Sequence, residues 1–156
     1  MTIHTYATTL AWSGSTGGGY RAYSRTHQVT PQGAPGIAAS ADPAFRGDPA
    51  LVNPEQLLLA AASSCQLLSF LAVASRAGVD VVAYADDATA VMPDDRSPVR
   101  FTGIVLRPTI TVRAGDAGDE VTATVEKLVR TAHDECYVAN SLNTPVTVEP
   151  VIQVVA

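Results

Sequence analysis

The chain has 156 residues, of which 47% are hydrophobic and 16% are charged, and its formal net charge is −5. This length suits a single domain with a substantial core, so we expect one domain over residues 1–156. The basic residues are nine arginines and Lys127, without any basic run, which argues against nucleic acid and anionic membranes as partners.

The cysteine count limits the kinds of chemistry that we expect. Cys65 and Cys136 are the only cysteines, too few for a disulfide-stapled scaffold, so the pair is either inert or redox-active. His133 lies three residues before Cys136, but no CxxC or HxxxH spacing is present, and we expect no metal site. The N-terminal segment has no positively charged, apolar leader, and we expect a cytoplasmic protein.

The first part of the chain predicts two strands joined by a glycine-rich turn. Residues 3–12 and 20–29 have strand-like sequences, and residues 13–19 read SGSTGGG. This turn does not predict a phosphate-binding loop, because such a loop is followed by a helix rather than a strand. Side chains alternate along a strand, so one face of the second strand is expected to carry Arg21, Tyr23, Arg25 and His27.

Residues 30–52 are rich in proline, glycine, alanine and aspartate and predict an irregular loop. Phe45 and Arg46 are its bulky side chains. Loops of this length in compact domains often serve as lids or binding loops.

Residues 53–78 predict a long helix around which the rest of the chain is organised. Asn53 is a good N-cap, Pro54 suits the first helical position, and Gln56 completes a capping box. Gly78 is placed to end the helix. Apolar residues occupy every side of this helix, which is typical of a buried helix.

A membrane span is the competing interpretation of the same helix, because its apolar run is nearly long enough. Polar residues interrupt the run, and the flanking segments have the patterns of soluble strands. We therefore favour a buried helix of a soluble protein and expect no membrane partner.

The second half of the chain predicts two strands, a helix and a last strand. The strands cover residues 79–92 and 99–112, the second being bent near Pro108, with turns at residues 93–98 and 114–119. A helical stripe of apolar residues predicts a helix over residues 120–138, and residues 146–155 predict the final strand. The expected class is α+β, dominated by antiparallel pairing.

Cys65 is the first candidate for chemistry. A cysteine within an apolar helix is most often an inert packing residue. The polar residues beside Cys65 and the polar and aromatic cluster around Cys136 favour a reactive pair instead. A reactive cysteine acts as a thiolate, and Cys65 lies too far along the helix for the helix dipole to stabilise one. A nearby arginine is therefore needed, and the upstream candidates are Arg21, Arg25 and Arg46.

Glu55 is a further candidate in the first turn of the same helix. Its default role is to complement the helix dipole. Glu55 and Cys65 are separated by about 15 Å along a straight helix, so they cannot touch within one helix. Either Glu55 orients an arginine at a distance, or a partner subunit brings its own Glu55 to Cys65 in a two-fold dimer.

The run Asn-Pro-Glu-Gln-Leu at residues 53–57, its spacing to Cys65, and Cys136 followed by Asn140 and Ser141 resemble the OsmC/Ohr family. The two names stand for osmotically induced protein C and organic hydroperoxide resistance protein. The resemblance implies an α+β fold in which antiparallel sheets wrap around a buried central helix in an intertwined homodimer. It also implies a cofactor-free peroxidase that reduces organic hydroperoxides.

The resemblance assigns roles to several residues. Cys65 would be the peroxidatic thiol, Cys136 the resolving thiol, and Glu55 the acid that holds an activating arginine. The family's arginine lies in the first turn, where this chain has Gly17–Gly19, so Arg21, Arg25 or Arg46 would replace it. The reductant would be a lipoyl-bearing protein or a small thiol.

We expect the substrate to meet an apolar pocket that favours alkyl or lipid peroxides over hydrogen peroxide, formed by Phe45, Leu58, Leu68 and Tyr137. Two other functions fit the same residues. The pocket could bind an apolar small molecule with unreactive cysteines, or the cysteine pair could be a redox sensor without efficient turnover.

Overall fold

The structure is a computed structural model that describes residues 1–95, 97–114 and 120–156. Its helices are α1 (Pro54–Arg76), α2 (Glu120–Asp134) and α3 (Tyr137–Asn140). Its strands are β1 (Thr8–Ala11), β2 (His27–Pro31), β3 (Ile37–Ala39), β4 (Val81–Asp86), β5 (Thr89–Val91), β6 (Gly103–Leu106), β7 (Pro108–Arg113), β8 (Val146–Val148) and β9 (Val151–Val155). The expected α+β class is confirmed. The chain divides into two compact units, Met1–Leu58 and Leu59–Ala156, and the expectation of a single domain stays a prediction.

The first unit contains a three-stranded antiparallel sheet in the order β1-β2-β3. The expected pairing of the first two strands is present, with Thr8 opposite Pro31. Both predicted ranges are too long, because the connection between the strands is a loop in which the Trp12 indole N–H donates to the Ser24 carbonyl. Strand β3 was not predicted, since its three residues are too few to show an alternating pattern.

Part of the predicted irregular loop is a tight, ordered turn. A short 3₁₀ helix spans Pro43–Phe45, and the Asp42 carboxylate accepts a hydrogen bond from the Ala44 N–H. A side chain at position 47 would place its Cβ 1.5 Å from the Ala41 carbonyl oxygen, so only glycine fits there. Arg46 has a φ of 67°, which is unusual for a residue with a side chain.

The start and end of α1 lie where the sequence placed them. The Gln56 N–H donates to Asn53 Oδ1 over 2.8 Å, and the Asn53 N–H donates to Gln56 Oε1 over 3.1 Å, which completes the predicted capping box. At the other end, Gly78 has a φ of 73° and the Val79 N–H donates to the Ala74 carbonyl.

The prediction that α1 is buried on all sides is wrong for the single chain. Its buried residues lie on one face: Ala62, Gln66, Phe70, Val73 and Ala74. On other faces Leu68 is 63% exposed and Leu71 is 39% exposed. By length and composition α1 is also apolar enough to cross a membrane, a test that core helices of soluble proteins pass as well.

The second unit has two three-stranded sheets, in the orders β4-β7-β9 and β5-β6-β8. Strands β4 and β7, and likewise β5 and β6, pair antiparallel as expected. Strands β8 and β9 pair in parallel with β6 and β7, so antiparallel pairing does not extend to the last strand of the chain.

Each of the three long predicted strands in this unit is divided in two by a bend. The bends lie side by side at residues 87–88, at Arg107 and at residues 149–150. Arg107 links them, because its backbone N–H donates to Asp86 Oδ1 over 2.6 Å and its Nε donates to Glu149 Oε2 over 3.0 Å. Pro150 also lacks the N–H that a continuous ladder needs.

The predicted helix over residues 120–138 ends earlier than expected. Cys136 has extended backbone angles (φ −76°, ψ 104°) and is the N-cap of α3, so it lies between two helices rather than within one. Helices α1 and α2 share a core with the β4-β7-β9 sheet, consisting of Phe70, Val73, Ala74, Ile110, Val112, Val121, Val125, Val129 and Ala132. Of the predicted turns, residues 96 and 115–119 lie outside the described residues.

Candidate functional site

The second unit brings the two cysteines together. Cys65 lies in the middle of α1 and is half-buried, while Cys136 is 1% exposed. Both are free thiols, and their side chains are in hydrogen-bonding contact. The core shared by α1 and α2 produces this contact between residues that are distant in the sequence.

The surroundings of Cys136 favour its protonated form. Burial raises the pKa of the Cys136 thiol, and the hydrogen bond and charge of Cys65 raise this pKa further. The backbone N–H groups of Ala139 and Val138 act in the opposite direction but are outweighed. The Cys136 thiol therefore holds its proton more firmly than an ordinary cysteine thiol does.

Three side chains of the second unit have a buried polar atom without a hydrogen-bond partner among the described residues. The Gln66 side chain is fully buried, and its Nε2 donates to the Val129 carbonyl over 3.3 Å while its Oε1 has no partner. The Tyr84 hydroxyl and His133 Nδ1 are also buried without a hydrogen-bond partner among the described residues. Unpaired buried polar atoms are uncommon, and they often mark sites where function requires them.

Tyr84 was not identified from the sequence. Its ring packs on Phe70 of α1 with the centroids 6.0 Å apart. Burial, followed by the charges of Asp86 and Cys136, raises the pKa of the Tyr84 hydroxyl well above its ordinary value. Its position two residues before Asp86 on one strand face was the only available sequence signal.

Asp86 connects the strand bend to α1. Its Oδ2 accepts a hydrogen bond of 2.5 Å from the hydroxyl of Ser63, which lies two residues before Cys65 on α1. Its Oδ1 accepts from the Arg107 N–H. Ser63 and Phe70 of α1 thus face Asp86 and Tyr84 of β4, which places this strand along the helix beside Cys65 and Gln66.

The first unit contains a cavity of about 400 Å³ whose lining is mainly apolar. The lining residues are Leu10, Trp12, Thr16, Tyr23, Arg25, His27, Ser40, Ala41 and Pro54. Of the side chains predicted to share one strand face, Tyr23, Arg25 and His27 do line this cavity together. That prediction is wrong in two respects, because β2 begins only at His27 and Arg21 is exposed in the preceding turn.

Arg25 is the one arginine candidate that lines the cavity. Its guanidinium donates to the Tyr23 and Tyr20 carbonyl oxygens over 2.6 and 2.5 Å. The same group lies 4.0 Å from the ring centroid of Tyr23 and 4.7 Å from that of Tyr20, which are cation–π distances. Arg46, like Arg21, is exposed.

Glu55, also in the first unit, has a buried carboxylate oxygen that no described residue contacts by a hydrogen bond. Among the residues that the structure describes, no arginine forms an ion pair with it. The pairing of Glu55 with an arginine, which the resemblance implies, is therefore absent from the single chain as described.

The four residues expected to form an apolar substrate pocket are divided between the two units. Phe45 (43% exposed) and the half-buried Leu58 belong to the first unit. Leu68 (63% exposed) and Tyr137 (81% exposed) belong to the second, where the single chain leaves both open to solvent. Their role in substrate binding stays a prediction.

Within residues 1–95, 97–114 and 120–156, no group of three or more His, Cys, Asp or Glu side chains is arranged to hold a metal ion.

Residues 47–151 match the family model described as OsmC-like protein. Among curated proteins, the chain is similar to the uncharacterized protein YmaD of Bacillus subtilis, with 22% identity over 90 residues. That alignment covers 58% of this chain and 59% of YmaD, so the chain spans less than two thirds of the relative's length.

Solved structures of similar fold cover nearly the whole chain. An OsmC-like protein of unknown function from Vibrio cholerae is 29% identical, with a TM-score of 0.83, covering 96% of this chain and all of the other. An organic hydroperoxide resistance protein OsmC from Legionella pneumophila is 17% identical, with a TM-score of 0.70 and coverage of 98% and 99%. An organic hydroperoxide resistance protein from Elizabethkingia anophelis is 18% identical, with a TM-score of 0.69 and coverage of 97% of both chains.

Proposed function

The chain belongs to the OsmC-like protein family, and we propose that it is a thiol peroxidase that reduces organic hydroperoxides to alcohols. The observation that carries this proposal is the contact between the Cys65 and Cys136 side chains. The names of the relatives from Legionella pneumophila and Elizabethkingia anophelis, both organic hydroperoxide resistance proteins, agree with it.

The different burial of the two cysteines supports a division of roles. Cys65 is half-buried and can meet a substrate, whereas Cys136 is 1% exposed. The Cys65 thiolate attacks the distal oxygen of the hydroperoxide, the O–O bond breaks, and the alkoxide takes a proton and leaves as the alcohol. The sulfur is oxidised to a sulfenic acid, which is a reversible state.

Cys136 then resolves the sulfenic acid. Its sulfur bonds to the Cys65 sulfur, the S–O bond breaks, and the thiol proton leaves with the hydroxide as water. The hydrogen-bonding contact between the two side chains supports this step, in which the two sulfurs must approach to bonding distance. An external dithiol, either a lipoyl protein or a small thiol, restores both thiols by exchange.

Arg25 is the arginine that we assign to substrate binding. It lines a mainly apolar cavity, from which its guanidinium would stabilise the negative charge that develops on the substrate. Glu55 offers a buried, unpaired carboxylate oxygen of the kind that binds a guanidinium. We assign Glu55 the role of holding an arginine once the site is complete.

A second copy of the chain would complete this arrangement. Leu68 and Leu71 leave an apolar face of α1 exposed, and a homodimer would bury it against its own copy. The same association would enclose Leu68, which a single chain leaves open.

Thiol counting tests the proposed reaction. One equivalent of cumene hydroperoxide is expected to remove both thiols of the reduced protein, and dihydrolipoamide is expected to restore them with steady turnover. Cys65→Ser is expected to abolish turnover, and full peroxidase activity in this variant would exclude the assignment.

The same experiment distinguishes the other two functions. Retention of both thiols in the presence of the hydroperoxide would favour a small-molecule-binding protein, for which the apolar cavity of the first unit is the candidate site. Oxidation without turnover in excess dithiol would favour a redox sensor.

A further inference from the structure

In the proposed cycle, the disulfide between Cys65 and Cys136 must be reduced although one of its sulfurs is buried. The incoming thiolate attacks one sulfur of the disulfide and expels the other as a thiolate. Cys65 is half-buried and Cys136 is 1% exposed, so the reductant reaches the Cys65 sulfur and Cys136 becomes the leaving group. A thiolate that forms in a buried site lacks the stabilisation of water, and the same burial raises the pKa of Cys136. Such a thiolate is a poor leaving group.

A hydrogen-bond donor without a partner lies beside this site. The Tyr84 hydroxyl is buried, and no described residue accepts or donates a hydrogen bond to it. The Tyr84 ring packs on Phe70, while Asp86 on the same strand face accepts a hydrogen bond from Ser63, so Tyr84 faces the part of α1 that carries Cys65. The charge of Cys136 is among the causes that raise the pKa of the Tyr84 hydroxyl, in keeping with a position near Cys136.

We propose, on the basis of the peroxidase function above, that Tyr84 is a further catalytic residue whose hydroxyl donates a hydrogen bond to the Cys136 sulfur as the disulfide is reduced. A thiolate of the dithiol attacks the Cys65 sulfur, the S–S bond breaks, and its electron pair goes to Cys136. The second thiol of the reductant then displaces Cys65 from the mixed disulfide. The dithiol is oxidised to a cyclic disulfide, and its two protons go to the two protein sulfurs.

Tyr84 assists this step without giving up its proton. Burial and the charges of Asp86 and Cys136 raise the pKa of Tyr84, so the hydroxyl remains a donor while the thiolate forms. A hydrogen bond to a charged group in a buried site is among the stronger ones. The reduced protein described by the structure, in which the Cys136 thiol contacts Cys65, leaves the Tyr84 hydroxyl without a partner.

The test separates the two halves of the cycle with Tyr84→Phe. The disulfide is prepared with diamide, so the measurement does not depend on peroxidase activity, and its reduction by dihydrolipoamide is followed by stopped flow. We expect reduction to slow by about tenfold, the effect of about 1.4 kcal/mol in a barrier. Oxidation of the reduced variant by cumene hydroperoxide is expected to keep the rate of the unchanged protein.

Tyr6→Phe is the matched control, since Tyr6 is 89% exposed and is expected to leave both rates unchanged. The proposal would be overturned if the disulfide of Tyr84→Phe were reduced at the original rate. It would also be overturned if reduction by dihydrolipoamide and oxidation by cumene hydroperoxide slowed equally. If cumene hydroperoxide fails to oxidise the thiols of the unchanged protein, the peroxidase function fails while the diamide experiment still tests Tyr84.

A second measurement needs no variant. Brief treatment of the diamide-oxidised protein with 2-mercaptoethanol, followed by acid quenching and peptide mapping, locates the mixed disulfide. We expect it on Cys65, and its presence on Cys136 would mean that Cys136 is not the leaving group and would exclude the role of Tyr84.

Discussion

The Gln66 side chain donates a hydrogen bond of 3.3 Å to the Val129 carbonyl and so joins α1 to α2 at the position next to Cys65. Gln66 is fully buried. Truncation in Gln66→Ala would leave a cavity and an unpaired carbonyl, and we expect a loss of about 3 kcal/mol in the free energy of unfolding. Urea denaturation of the reduced protein measures this loss.

Ser64→Ala is the control for this experiment, because Ser64 lies on the same helix and is exposed. We expect a change of less than about 0.5 kcal/mol for Ser64→Ala. Equal stability of Gln66→Ala and the unchanged protein would mean that the bond to Val129 does not hold the two helices together.

Asn53 provides a second stability test at the start of α1. Its side chain caps the helix, its N–H donates the return bond of the capping box to Gln56 Oε1, and it is only 5% exposed. Asn53→Ala is expected to lower the free energy of unfolding by about 1–2 kcal/mol, whereas Asn53→Asp keeps the capping oxygen and is expected to lose less. Thermal unfolding compares the two, with the exposed Asn143→Ala as a neutral control.

The capping box shows which parts of the fold could be predicted. The bonds between Asn53 and Gln56 are local, so the sequence alone specified where α1 starts, and Gly78 specified where it ends. The strand bends that Arg107 links and the parallel pairing of β8 with β6 depend on contacts between distant segments. No local sequence pattern predicts them.

The candidate site was predictable to the same extent. Cys65 and Cys136 could be chosen from their residue type and their neighbours, but the extended backbone that places Cys136 between two helices could not. Tyr84 was missed because the role proposed for it depends on the residues that face its side of the strand. The cavity that distinguishes Arg25 from Arg21 and Arg46 depends on contacts between distant segments, so no local pattern indicates it.

Arg25 gives a direct test of substrate activation. Arg25→Lys keeps the charge but loses the planar fork that bonds the Tyr20 and Tyr23 carbonyls. We expect kcat/KM for cumene hydroperoxide to fall by about a hundredfold, the size of effect expected when one stabilising donor is lost. The exposed Arg100→Lys serves as the control, and an unchanged kcat/KM in Arg25→Lys would move the activating role to Arg21 or Arg46.

The raised pKa of the Cys136 thiol leads us to expect a loss of stability at alkaline pH. Its pKa is higher in the folded chain than its ordinary value of 9.0, mainly because of burial. The protonated thiol therefore contributes its full stabilisation below pH 9 and loses it as the pH rises through the higher folded value. As the pH rises above 9.0, the free energy of unfolding is expected to fall more steeply for the unchanged protein than for Cys136→Ala. Urea denaturation under reducing conditions measures the free energy of unfolding at each pH. If it falls equally with pH in both proteins, the loss of stability does not come from the Cys136 thiol.

The exposed face of α1 predicts the oligomeric state. Leu68 is 63% exposed and Leu71 is 39% exposed on a helix whose opposite face is buried, and a stable soluble protein rarely leaves such a face uncovered. We expect a dimer in sedimentation velocity, and we expect Leu68→Glu to shift it to a monomer, because a charge would be buried without a partner. Leu10→Glu is the matched control, since Leu10 is 65% exposed on β1, outside α1. A monomer at all concentrations, or a Leu68→Glu protein that remains dimeric, would show that this face is not the interface between copies.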